Sequence, residues 1–215
     1  MSFDAGDVAA LFAGFAERFA AEREALIALD GKVGDSDLGI TMSKGFAAAH
    51  EAAAALEDPV PGLQMKMAGA ALAKAAPSTM GTLMATGFLR GSKALDGVSD
   101  VDTAALAAFW RAFADGVAQR GKARVGDKTV LDVLEPVAVA CQEQASAGAG
   151  YVETLRAAEA VARDALEESR DLVAQHGKAA AFQEKSRGLP DAGGTVAVML
   201  CEVWREVAEA RARKP

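Results

Sequence analysis

The sequence predicts an all-α protein, an eight-helix antiparallel up-and-down bundle or barrel, and three observations carry that expectation. Apolar residues recur at helical spacing almost throughout, and alternating strand patterns are missing. Hydrophobic residues make up 51% of the chain but aromatics only 6%, with Ala leading the apolar set. Ala has no side-chain entropy to lose in a helix and lets neighbouring helices approach closely.

The elements follow from breaks at Gly, Pro and Asp clusters. The first helix, 4 to 28, carries Leu11, Phe12, Phe15 and Phe19 on one face. The second runs from 39 to 56 and stops at Glu57-Asp58-Pro59-Val60-Pro61-Gly62; the third occupies 61 to 75. The fourth, 80 to 95, ends at Asp96-Gly97-Val98-Ser99-Asp100. The fifth, 102 to 119, repeats the helical spacing with Leu106, Phe109, Phe113 and Val117. The sixth, 128 to 146, ends at Ser146-Ala147-Gly148-Ala149-Gly150. The seventh covers 150 to 174 and the eighth 193 to 213. With 215 residues and no Ser/Pro/Gly-rich linker, one domain over 1–215 around a single core is expected.

The connections form two groups. Those after helices two, four and six are short and bland, whereas those after one, three, five and seven are rich in Asp, Gly, Lys, Ser and Thr. Short loops join antiparallel neighbours, so the four polar connections emerge together at one end. That end also collects the N-termini of helices two, four, six and eight, whose unsatisfied N–H groups and positive dipole ends suit an anion such as phosphate.

A net charge of −7 offers no basic face to nucleic acid or anionic lipid. Cys141 and Cys201 lie in apolar helical stretches, where a small buried hydrophobe is the common role. Met1-Ser2-Phe3-Asp4 lacks the marks of a secretion signal, and no stretch approaches eighteen uncharged apolar residues. A cytoplasmic protein without a membrane or nucleic-acid partner is expected.

The first polar connection, Leu29-Asp30-Gly31-Lys32-Val33-Gly34-Asp35-Ser36-Asp37-Leu38-Gly39, holds three aspartates in eight residues. In a loop freed by glycines, all three carboxylates can turn to one point. Two carboxylates about 4 Å apart repel by roughly 4 kcal/mol at an effective dielectric near 20, so convergence calls for a cation. Oxygen ligands without nearby His or Cys suit Mg²⁺ or Ca²⁺. The other reading is that Asp35 or Asp37 merely caps the second helix beside a solvated turn.

The connection after helix three, Ala76-Pro77-Ser78-Thr79-Met80-Gly81-Thr82, places a hydroxyl N-cap beside small residues that admit a ligand to the backbone amides. Ordinary capping explains the same pattern. The fifth connection, Arg120 to Thr129, is locally basic, and suits either phosphate or solvent. The seventh is the longest, and carries His176-Gly177-Lys178 and Ser186 to Thr195; such a loop is usually a lid or a binding loop. His176 reads as a general base or as a plain surface residue. Nucleotide motifs of α/β folds and the nucleophile elbow are absent.

Four stretches, spread in order over nearly the whole chain, resemble the L subunit of dihydroxyacetone kinases. They are Leu29-Asp30 with G-D-S-D-L-G-I-T-M-S-K-G-F (34–46), M-G-T-L-M-A-T-G-F-L-R-G (80–91), R-G-K-A-R-V-G-D-K-T-V-L-D-V-L-E-P (120–136) and D-A-G-G-T (191–195). The resemblance implies an eight-helix barrel with ATP or ADP and two Mg²⁺ at one end, the metals on Asp30, Asp35 and Asp37. It puts nucleotide contacts on Leu38, Gly39, Ile40 and Thr41, on Thr79 and Met80, to which the N-cap reading of that loop adds Ser78 and Gly81, and on Gly121 and Val130. Lys178, Asp191, Ala192 and Gly193 complete the set. It further implies a K-type subunit that holds the ketose, in some bacteria a phosphohistidine carrier protein that recharges the nucleotide, and a homodimer as one state of assembly. The rival from another class is a nucleotide-sensing protein without turnover.

Four positions depart from the family pattern. Leu38 stands where His is usual, Ser78-Thr79-Met80 replaces a Gly-x-Ser turn, Lys178 replaces Arg, and Val130 replaces Met. The change to Lys178 exchanges a bidentate fork for a point charge. These departures point to a branch acting on another short ketose, such as a ketotetrose, or exchanging ATP rather than retaining ADP.

Overall fold

The structure, a computed structural model, describes residues 3–213. Its described residues form nine α-helices: α1 (Ala5–Ala21), α2 (Arg23–Asp30), α3 (Leu38–Ala54), α4 (Pro61–Ala75), α5 (Thr79–Lys93), α6 (Thr103–Gly121), α7 (Leu131–Ser146), α8 (Tyr151–Glu168) and α9 (Ala192–Ala212). Short 3-10 turns at Ser169–Asp171 and Lys178–Ser186 interrupt the last long connection. Neighbours in sequence pack side by side from α3 through to α9. The ring closes through α1, which lies against both α9 and α3. The expected all-α up-and-down barrel is thus observed, and among the described residues no helix is long and apolar enough to cross a membrane.

Three expected boundaries move. The first helix bends at Glu22 (φ −88°, ψ 6°) into α1 and α2. Hydrogen bonds from Glu22 N to Arg18 O and from Leu26 N to Glu22 O carry on through the bend. Beyond Phe19 the apolar spacing thins until Leu26, the one buried residue of α2, and the chain leans onto α3. The sixth helix starts at Leu131, not 128, because Lys128 adopts the left-handed region (φ 57°). There the Asp132 carboxylate accepts both Gly126 N and Thr129 N at 2.6 Å. The seventh helix ends at Glu168, where the buried Ser169 hydroxyl donates to Leu166 O and tightens the chain into a 3-10 turn.

Side-chain caps start several helices. Asp4 and Asp7 form a reciprocal capping box on α1, and Asp102, Ser78 and Asp191 cap α6, α5 and α9. Each such cap contributes about 1 kcal/mol.

The few aromatic residues are nearly all spent on one seam. Eight phenylalanines, both tryptophans and Tyr151 are buried, while Phe182 is exposed. Phe19 stacks on Phe46 with centroids 4.4 Å apart, and contacts continue through Phe88, Phe109 and Trp204 to Phe3 and Tyr151. Trp204 Nε1 donates to the Tyr151 hydroxyl at 3.0 Å, which satisfies the one polar atom each ring brings inside. Cys141 and Cys201 are buried free thiols, as expected, and burial pushes Cys141 up to about 12.

Rigid packing of this kind leaves notches that only glycine fits. A Cβ on Gly87 of α5 would overlap the ring of Phe113. Gly87→Ala is therefore expected to lose roughly 1–3 kcal/mol from overpacking despite its better helix propensity. The drop in thermal midpoint is about 2–4 °C per kcal/mol at this chain size. A melt that matches or exceeds wild type would refute the notch.

Candidate functional site

The four polar connections meet as expected and line a cavity of about 230 Å³. Asp30, Val33, Asp35 and Asp37 come from the first, Thr79 and Met80 from the helix start after the third. Gly121, Ala123, Lys128, Thr129 and Val130 belong to the fifth, and the seventh gives His176 to Ala179 and Pro190 to Gly193. Leu38, Leu83, Val117 and Leu131 add apolar wall from the helices themselves.

The carboxylate loop is built by its own backbone. Asp30, the last residue of α2, accepts Asp37 N at 3.0 Å and Leu38 N at 3.4 Å through Oδ2, folding the loop back on itself. Gly34 passes so close to the Asp30 carboxylate that a side chain there would overlap it, and Ser36 takes a left-handed φ of 62°. Asp30, Asp35 and Asp37 each bring a carboxylate oxygen to within 4.8 Å of the others. Among the described residues they are the one cluster of carboxylate, imidazole or thiol groups so arranged.

Of the capping alternative, the side-chain cap is not found, while its solvated turn agrees with the exposure of Asp35 and Asp37. Asp37 occupies the N-cap position of α3 yet makes no side-chain capping bond. Its carboxyl is pushed above the ordinary range, first by desolvation and then by Asp35 and Asp30, with Lys178 pulling the other way. Lys178 Nζ lies 2.6 Å from Asp35 Oδ2. That contact raises the ammonium's own pKa. Three hard oxygen donors under mutual repulsion fit a small divalent cation such as Mg²⁺.

Helix ends supply the complementary charge. First-turn residues Leu38 of α3, Thr79 and Met80 of α5, Leu131 of α7, and Ala192 and Gly193 of α9 all face the cavity. Such termini attract anions through their N–H groups and dipoles. Asp191 caps α9 by accepting Gly194 N at 2.6 Å. Burial pushes its carboxyl up to about 6; nearby Asp132 adds to the rise, and the Gly194 and Gly193 amides and Lys128 oppose it.

Of the residues singled out in the sequence, Asp30, Asp35, Asp37, Leu38, Thr79, Met80, Gly121, Val130, Lys178, Asp191, Ala192 and Gly193 line the cavity. Gly39, Ile40, Thr41, Ser78 and Gly81 stand outside the lining. Ser78 Oγ accepts Gly81 N at 3.1 Å, so this pair builds the cap of α5. Lys128, Thr129, Leu83, Val117 and Val33 are lining residues that sequence reasoning did not select. Leu83 and Val117 fit the core periodicity, and Lys128 sat unmarked in a basic loop although its side chain is buried. His176 faces the cavity with Nε2 3.2 Å from Asp127 Oδ2.

Residues 32–206 match the family model described as the DAK2 domain. The chain is 31% identical over 185 residues to the PEP-dependent dihydroxyacetone kinase, ADP-binding subunit DhaL of Escherichia coli (strain K12); the match covers 86% of this chain and 88% of that one. It is 34% identical over 196 residues to the D-erythrulose kinase of Mycolicibacterium smegmatis, with 90% of this chain but 34% of the relative covered. The chain thus spans about a third of that longer kinase. The fold is shared with the dihydroxyacetone kinase from C. freundii, solved in complex with AMP-PNP and Mg²⁺. The TM-score is 0.68 at 22% identity, over 94% of this chain and 33% of that one.

The raised Asp191 carboxyl makes stability depend on pH. A carboxyl whose folded pKa exceeds the ordinary 3.8 favours the fold while protonated. That contribution is complete below about pH 4 and is lost as pH rises through about 6. Asn caps a helix as well as Asp does, so Asp191→Asn should gain on wild type between pH 4 and 7.5 by on the order of 2 kcal/mol. Urea melts across that range measure the difference, and a gap that is flat or shrinks with pH contradicts the assignment.

Proposed function

We propose, from the premise that this chain belongs to the DAK2 domain family, that it is the nucleotide-binding subunit of a short-ketose kinase, with residues 1–215 forming one ATP/ADP-binding domain. The observation that carries the reading is the convergence of Asp30, Asp35 and Asp37 within 4.8 Å at a cavity that four helix N-termini also face. Carboxylates and helix N-termini have opposite preferences, and a magnesium-bound polyphosphate satisfies both at once.

In this reading the three aspartates hold two Mg²⁺, which supply charge neutralisation on the phosphate oxygens when bound. The first-turn amides of Gly39 and Ile40, Thr79 to Met80 and Ala192 to Gly193 receive the phosphates, while the Leu38 and Thr41 amides are taken by Asp30 Oδ2 and Asp37 O; Ser78 and Gly81 hold the second of these turns in shape. Lys178 adds an exposed positive charge at the mouth. The apolar walls, with Leu38, Met80, Val130 and Gly121, exclude water and accept the flat base. No side chain of this chain acts as a nucleophile; its work in phosphoryl transfer is placement and charge.

The ketose is held by a separate K-type subunit. The E. coli relative's name as an ADP-binding subunit and the C. freundii kinase's complex with AMP-PNP and Mg²⁺ support the nucleotide and metal parts. The erythrulose kinase relative, together with Leu38 and Lys178 in place of the family's His and Arg, supports a four-carbon ketose as substrate and ATP that exchanges.

Thermal stability tests the ligand assignment. With Mg²⁺, ATP or ADP at about 100 times its Kd should add about 2.7 kcal/mol; chelation of the metal should abolish most of that gain. Asp35→Asn should reduce it in the same way. Turnover of erythrulose and dihydroxyacetone, in a pair reconstituted with the cognate K subunit and ATP alone, tests the chemistry. Unchanged turnover in the Asp35→Asn pair would falsify the metal assignment, and turnover only with a phosphohistidine carrier would replace ATP exchange by recharging.

A further inference from the structure

We propose that Lys128 is a positioning residue that anchors the root of the 172–190 connection so that Lys178 reaches Asp35 and the nucleotide phosphates. The inference rests on the nucleotide reading above. Lys128 is only 3% exposed, although it lies in a connection and on a left-handed backbone. Its Nζ donates to Arg170 O at 3.0 Å and Leu172 O at 3.1 Å. These carbonyls lie just past the end of α8, where the helix dipole favours a cation, and Arg170 O also accepts Gly188 N at 2.8 Å.

A buried ammonium is costly unless its hydrogen bonds are satisfied. Burial indeed lowers the Lys128 pKa, with Asp191 as the main opposing charge. Two further contacts join the same segments. Gln175 N donates to Asp127 O at 2.9 Å, and His176 Nε2 lies 3.2 Å from Asp127 Oδ2. Immediately beyond, Gly177 turns the chain with φ 68°, and Lys178 extends to Asp35.

The Lys178 side chain is 67% exposed, so its surroundings do little to fix it. A lysine side chain held at one carboxylate gives up rotamer entropy, and a wandering backbone would add to that cost. The root at residues 170 to 176, held by Asp127 and Lys128, removes the backbone part. Lys128 thereby acts on the ligand through Lys178.

A double-mutant cycle separates this from direct contact, since Lys128 also lines the cavity. Titration of Mg-AMP-PNP into the full chain, well below each variant's melting point, would compare wild type, Lys128→Met, Lys178→Gln and the double variant. Each single change should weaken binding about tenfold, as for loss of a charged hydrogen bond. The double variant should bind within about twofold of Lys178→Gln, and Lys128→Arg should recover most of the loss. Losses that multiply to about a hundredfold, or a Lys128→Met variant that binds as wild type, would overturn the inference. Should Lys128→Met fail to fold, His176→Ala removes the adjacent exposed contact and must show the same non-additivity with Lys178→Gln. Wild type that binds no Mg-AMP-PNP would remove the functional reading itself, and this inference with it.

Discussion

Three like charges held within 4.8 Å of one another are the constraint around which this end of the molecule is organised. Left alone, the aspartates would tend to part, because each pair at this range repels by about 1 kcal/mol in water and by more wherever water is excluded. The loop opposes that by covalent and hydrogen-bonded means. Asp30 is fixed as the last residue of α2, its carboxylate takes the amides of Asp37 and Leu38, and Ser36 accepts a left-handed turn. The opposing charge then comes from outside the loop, from Lys178 and from helix ends.

Such a loop is useful only on a support that does not give. The barrel supplies it by closing α9 onto α1 and by running a chain of aromatic contacts through most of the core. Close packing transmits small displacements rather than absorbing them. Charges on the barrel wall add a second layer of order: Arg111 grips Glu135 with both guanidinium arms at 2.6 and 2.7 Å, linking α6 to α7 beneath the fifth connection.

The cavity also shows how an acidic protein can still present groups that attract an anion. A net charge of −7 should repel phosphate at long range, yet local fields dominate within a Debye length of about 8–10 Å. Helix N-termini and Lys178 supply the positive part of that local field. The proposed metal-bound polyphosphate would meet both the carboxylates and the amides, whereas a bare one would meet only the amides.

Much of this was legible in the chain. Punctuation by Pro and Gly located the third helix at 61–75, the bounds observed for α4, and the split between bland and polar connections identified the end at which they meet. Helical spacing and local punctuation are properties of neighbouring residues, and a sequence displays them directly. The bend at Glu22, the start of α7 at Leu131 and the burial of Lys128 were not legible. Each depends on where another segment lies: α3 beneath α2, the Asp132 carboxylate over its own loop, and the carbonyls of residues 170 and 172 above Lys128. The sequence by itself determined which groups the loops carry and at which end they gather. The tertiary structure alone decided which of them touch: the Lys128 contacts, more than forty residues apart, are settled by packing of the whole barrel, and the shorter ones at Asp30 and Asp132 by how each loop folds back, neither by spacing along the chain.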